Sequence, residues 1–167
     1  ERNNLLSGAF PDGDILSYTY DERNNLLSET NLRGVVVLYE YDTKNNKVRT
    51  THSDNSVTTY TYDDQNNMES SSYTDDDGVL IETFDDRGNL ISKAFPDGDV
   101  IMYSYDERNN LLSKTLPDGA GMTNTYDERN NLLSKTFPDG DIISYTFDER
   151  NNLLSKTFPD GDIISYT

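Results

Sequence analysis

The sequence predicts an all-β chain: an antiparallel ribbon of β-hairpins, two strands per repeat of 21 residues, coiled into a spiral, a shell wall or a fibre. Three observations carry this. A 21-residue pattern returns eight times; each copy holds two short strand-like runs between turn residues; and the apolar fraction is only 33%. An average globular protein has about 45–50%. That shortfall argues against a thick core and fits repeats that contact chiefly their neighbours.

The pattern is clearest from Glu128 to Asp148, ERNNLLSKTFPDGDIISYTFD, whose first nineteen residues recur unchanged from Glu149 to Thr167. Registering the chain on it gives repeats at 1–21, 22–42, 43–63, 64–85, 86–106, 107–127, 128–148 and 149–167. They form one array over 1–167, expected to be an excerpt of a longer one because both ends lack a polar capping sequence. Repeats two to four drift, yet keep the asparagine pair and an aromatic-Asp ending such as Tyr41-Asp42 and Phe84-Asp85. The fourth has one extra residue in Asp75-Asp76-Asp77. It is expected to lengthen a loop tip, where added length costs little.

Within a repeat, LLSKTF (132–137) and DIISYTF (141–147) are rich in β-branched and aromatic residues and read as strands. Between them stands Pro138-Asp139-Gly140. Proline presets φ, aspartate suits the next position, and glycine supplies the left-handed residue that closes a hairpin with a bulge. Gly98, Gly119 and Gly161 repeat that role. The other turn, Asp127 to Asn131, becomes legible by comparison, because Gly88 occupies the place of its first asparagine. Asparagine tolerates positive φ best after glycine. Asn3, Asn24, Asn45, Asn66, Gly88, Asn109, Asn130 and Asn151 are therefore expected to be left-handed.

Strands joined by tight turns without crossover helices are antiparallel. About sixteen of them are too many to remain flat and open, so the ribbon should curl. Strict alternation would place Leu133, Phe137, Ile143, Tyr145 and Phe147 on one face, interrupted by Lys135. Leu132, Ser134, Thr136, Ile142, Ser144 and Thr146 would lie on the other. Tyr103, Tyr105, Tyr145 and Phe147 are read as packing residues.

The motif Tyr-Asp-x-x-(Gly/Asn)-Asn-Leu, then Pro-Asp-Gly about ten residues later, then an aromatic-Asp pair, resembles the Rhs or YD-repeat family. It stands here as Tyr105-Asp106-Glu107-Arg108-Asn109-Asn110-Leu111, Pro117-Asp118-Gly119 and Tyr126-Asp127. In that family, which includes bacterial Rhs toxins, shell subunits of insecticidal toxin complexes and the teneurins, such repeats form a β-ribbon that spirals into a hollow shell. The resemblance implies a secreted or surface-exposed structural casing, and toxin activity confined to a separate C-terminal region that has no counterpart here. Asparagine replaces the family's usual first glycine in seven of the eight repeats.

Composition narrows the partners. A formal charge of −17 repels nucleic acid and anionic lipid, and no apolar run approaches the roughly 20 residues of a membrane helix. The absence of cysteine excludes disulfides and thiolate chemistry. The expected partners are other copies of the chain, flanking repeats, an encapsulated cargo or a cell-surface ligand. A serine-histidine-aspartate relay would need His52, the sole histidine, which reads better as a loop residue. Carboxylates recurring every 21 residues form ridges rather than a hydrolase cleft, so no enzyme is expected.

Asp-Gly-Asp turns (Asp12 and Asp14, Asp97 and Asp99, Asp139 and Asp141, Asp160 and Asp162) offer carboxylates at alternate positions, a Ca²⁺-like arrangement. They lack the acidic closing residue of an EF-hand loop, so a solvated ridge is preferred and calcium is the alternative. No other cofactor is implied. Repeated tyrosines leave a second functional reading, a glycan-binding or adhesin module acting through avidity.

Overall fold

A computed structural model describes residues 6–9 and 15–166. Asn3, Asp12 and Asp14 fall outside the described residues. The described chain is all β, and it divides into two compact halves, Glu1–Gly88 and Asn89–Thr167. The first half holds β1 (Ser7–Ala9), β2 (Ile15–Tyr20), β3 (Leu26–Thr30), β4 (Val36–Tyr41), β5 (Lys47–Thr51), β6 (Val57–Tyr62), β7 (Met68–Asp75) and β8 (Gly78–Phe84). The second holds β9 (Leu90–Ala94), β10 (Val100–Tyr105), β11 (Leu111–Thr115), β12 (Gly121–Tyr126), β13 (Leu132–Thr136), β14 (Ile142–Phe147), β15 (Leu153–Thr157) and β16 (Ile163–Ser165). Inside each half every strand pairs antiparallel with the next in sequence.

The two kinds of turn share one hydrogen-bond pattern. At the Pro-Asp-Gly turn, Gly140 N donates to Phe137 O at 3.0 Å and Phe137 N to Asp141 O at 2.8 Å. At the Tyr-Asp turn, Asn130 N donates to Asp127 O at 3.1 Å and Asp127 N to Asn131 O at 3.0 Å. Each is a three-residue loop whose last member turns left-handed, at φ 90 for Gly140 and 67 for Asn130. Asn24, Asn45, Asn66, Gly88, Asn109 and Asn151 all have φ between 65 and 81, and Gly98, Gly119 and Gly161 between 83 and 94. In the drifted repeats Gly34 (φ 75) and Asn55 (φ 68) take the place of Gly140, two positions that the Pro-Asp-Gly pattern does not reveal.

Two expectations are corrected. The extra residue of the fourth repeat does not lengthen a loop. Asp75 pairs directly with Gly78, so the connection shrinks to two residues while the β6–β7 ladder grows to end at Val57 and Thr74. Added backbone is absorbed as paired strand, where its polar groups are satisfied.

The strict alternation of faces also fails at the start of β3, β5, β7, β11, β13 and β15. Thr125 pairs with Ser134 but Tyr126 pairs with Leu132, leaving Leu133 as the extra residue of a β-bulge. The same slip leaves out Leu27, Leu112 and Leu154. Leu132 therefore joins the aromatic face and Leu133 is exposed.

Cross-strand partners share a face. One face carries the aromatic and aliphatic residues, such as Tyr103, Tyr145 and Ile143, opposite the lysines Lys114, Lys156 and Lys135. The other carries Ser and Thr pairs, with Oγ to Oγ distances of 2.6 Å for Thr125 and Ser134 and 2.7 Å for Thr146 and Ser155. Towards the Pro-Asp-Gly end this second face exposes Leu38 and Ile81 in the first half, and Met102 and Ile142 in the second. Among the described residues no hydrophobic side chain is buried. Each half is held by what passes from strand to strand.

Candidate functional site: a stacked turn ladder

The Tyr-Asp turns carry the densest network, built from all five residues of the Asp-Glu-Arg-Asn-Asn sequence. Asp127 begins it. Its Oδ1 accepts Arg129 N at 2.9 Å and Asn131 N at 2.8 Å, while Oδ2 accepts Asn131 Nδ2 at 2.9 Å. An aspartate is suited to this because its short side chain folds back onto the backbone two and four residues ahead. These bonds favour the ionised carboxylate, and the Asn131 side-chain bond, followed by its backbone N–H, holds the Asp127 carboxyl below the ordinary carboxylate range. Asp106 and Asp148 behave alike through Asn110 and Asn152. For Asp21 the leading cause is the Asn25 backbone N–H. At Asp42 partial desolvation pushes upward, and the bonds from Asn46 and Lys44 outweigh it.

The second asparagine of each pair also reaches into the following repeat. Asn25 Nδ2 donates to Asn45 Oδ1 at 3.0 Å and Asn46 to Asn66 at 3.1 Å in the first half. In the second half Asn89 donates to Asn109 at 2.9 Å, Asn110 to Asn130 at 3.0 Å and Asn131 to Asn151 at 2.9 Å. The first asparagine thus supplies the left-handed backbone and the acceptor for the rung before it. At Gly88 there is no side chain to accept.

The basic residue of the turn forms a third link. Arg23 donates to Asp42 O and Thr43 O at 3.1 and 3.0 Å, Lys44 to Asp64 O at 3.0 Å, and Arg129 to Glu149 O at 2.7 Å. Arg108 donates to the carbonyls of Asp127 and Glu128. The aromatic before each turn can add a fourth: Tyr62 and Tyr126 hydroxyls donate to Lys47 O and Leu111 O at 2.9 and 3.1 Å, fifteen residues back. The arginine and second asparagine were not among the sequence candidates, although their recurrence at one spacing is the signal that marks them.

The remaining candidates are placed as follows. Tyr103 and Tyr145 lie half-buried with Lys114 and Lys156 Nζ each 5.9 Å from their ring centres. Tyr105 and Phe147 pair across the bulge with Leu111 and Leu153. In the Asp-Gly-Asp turns the first carboxylate accepts the backbone N–H of the second aspartate: Asp97 from Asp99, Asp139 from Asp141, Asp160 from Asp162. Among the described residues no three acidic or histidine side chains gather as a cation site. His52 lies in a turn, its N donating to Ser56 O at 2.9 Å. Ser56 Oγ donates straight to Asp54 at 2.7 Å, so no imidazole stands between hydroxyl and carboxylate as a relay requires.

Comparison with known proteins agrees with this architecture. No curated protein sequence matches the chain. Among solved structures, the crystal structure of TcdB2-TccC3-Cdc42 superposes with a TM-score of 0.63 over 87% of this chain at 15% identity. That of TcdB2-TccC3 gives 0.62 over 86%, also at 15% identity. The chain spans 9% of the length of each, and at such identity the likeness is one of fold. The teneurin YD-shell family profile matches residues 6–167. With the Tyr-Asp turns capped, stacked and repeated over the matched length, the chain belongs to the teneurin YD-shell family.

Proposed function

We propose that the chain is a non-catalytic wall segment of a larger YD-repeat shell or fibre at the cell surface or outside the cell. The observation that carries this reading is the turn ladder, in which side-chain bonds beyond the sheet itself join successive repeats within each half. A sheet with no buried hydrophobic side chain among its described residues is suited to enclosing or spanning rather than to forming a compact catalytic body. Family membership and the fold of the TcdB2-TccC3 structures support it. The eight repeats act as one array, with Tyr105 and Phe147 packing along the aromatic face and flanking repeats as the immediate partners.

Negative-stain electron microscopy of the purified chain, paired with a glycan-array measurement, tests the reading. Curved sheets, shells or filaments without saturable glycan binding are expected. Dispersed particles with saturable glycan affinity would overturn it in favour of an adhesin.

A further inference from the structure

In the repeats that keep the full pattern, a lysine and a phenylalanine two residues apart cover the aromatic face beside the Pro-Asp-Gly turn. Lys135 Nζ lies 5.1 Å from the Phe137 ring centre, Lys156 4.4 Å from Phe158 and Lys93 5.7 Å from Phe95. The second repeat carries Glu29 and Asn31 at those positions. The ring is gone and the charge is inverted.

A cleft of about 240 Å³ stands at this place, lined by Leu16, Tyr18, Glu29, Asn31, Val35 and Val37. Glu29 has Tyr18 as its direct cross-strand partner on one side and Val37 on the other. Glu29 is half-buried and accepts the Tyr39 hydroxyl at 2.6 Å, while none of the chain's ion pairs among the described residues involves it. Lys47 is engaged between the Tyr39 and Tyr60 rings, 5.5 and 5.2 Å from their centres. A partly desolvated carboxylate without a counter-charge gains when a cation is brought to it. An aromatic ring at the same site adds attraction for an ammonium.

We propose that this cleft binds an ammonium group carried on a short apolar stem, either the lysine side chain of a partner polypeptide or a free alkylamine. Glu29 takes the charge, Tyr18 flanks it, and Leu16, Val35 and Val37 receive the stem. The site restores from outside the lysine that the fifth, seventh and eighth repeats supply from within.

Methyl NMR of the 167-residue chain tests this, with n-butylammonium chloride, sodium butyrate and n-butanol as probes at constant ionic strength. Saturable shifts of the Leu16, Val35 and Val37 methyls are expected with butylammonium alone. Glu29→Gln should weaken that binding by at least about fivefold while leaving methyl shifts elsewhere unchanged. The double change Glu29→Lys with Asn31→Phe should abolish it by rebuilding the repeat pattern. A blocked Ala-Lys-Ala peptide that binds more tightly than butylammonium identifies a polypeptide lysine as the occupant, and one that binds no better identifies a free amine. Equal shifts from butanol or butyrate, no shift with butylammonium, or unchanged affinity in Glu29→Gln would each overturn the proposal.

Discussion

Asn130 performs two tasks that two substitutions separate. Its backbone sits at φ 67, and its Oδ1 accepts the rung from Asn110 at 3.0 Å. Asn130→Gly keeps the left-handed backbone and removes the rung. An exposed neutral hydrogen bond lies at the low end of the net range, about 0.5 kcal/mol, and the added freedom of glycine in the unfolded chain costs about another 0.5 kcal/mol. Asn130→Ala loses the rung as well and forces a β-carbon residue into the left-handed region, at roughly 1–2 kcal/mol. The expected losses are therefore about 1 kcal/mol for glycine and about 2 kcal/mol for alanine. At about 2–4 °C per kcal/mol for a chain of this size, thermal unfolding followed by far-ultraviolet circular dichroism resolves the two. Gly88, at φ 81 in the same turn position, shows that glycine is accommodated there. An Asn130→Ala variant no less stable than Asn130→Gly would refute the division of roles.

Further outcomes follow from the same geometry. A β-carbon at Gly121 would stand 2.8 Å from Lys114 O, so Gly121→Ala should destabilise by about 1–3 kcal/mol through overpacking, measured by urea unfolding. Acid should weaken the fold through the turn aspartates. Bonds from Asn131 hold the folded pKa of Asp127 below its unfolded value near 3.8, so that contribution is complete above about pH 4 and disappears as pH falls through the folded value. Asp127→Asn should reduce the difference in melting temperature between pH 6 and pH 3. Burial, followed by its bond to Glu29, raises the Tyr39 hydroxyl pKa above the ordinary 10.0; its contribution is present below about pH 10 and lost as pH rises further. Tyr39→Phe should make alkaline unfolding shallower, read by circular dichroism between pH 9 and pH 12.

The strands and left-handed turn positions were legible because both rest on local chemistry: β-branched runs end at residues that accept positive φ. The drift of repeats two to four hid less than expected, since Gly34 and Asn55 satisfy the same backbone requirement without Pro-Asp-Gly. The faces were misread at Leu132 and Leu133, because a bulge shifts the period of two without any change in composition. The rungs were out of reach for another reason. Asn110 and Asn130 are twenty residues apart, and only the sheet register brings the second asparagine of one turn against the first of the next. Glu29 is informative only against Lys135 and Lys156, whose place it takes, and its meaning depends on the cleft opened by the missing ring at Asn31.

The rungs of the ladder all run one way. Asn25, Asn46, Asn110 and Asn131 donate forward along the chain and the first asparagines receive, so the described repeats that keep both asparagines share the same outlet and the same inlet. A whole repeat can be duplicated or deleted between two that keep both asparagines and the junction closes with bonds of the same kind. A one-residue change within a Tyr-Asp turn has no such refuge. Gene-level recombination in whole repeats is thereby the cheap route to altering the number of repeats, and the unbroken copy from 128–148 into 149–167 is what a recent event of that type would leave behind.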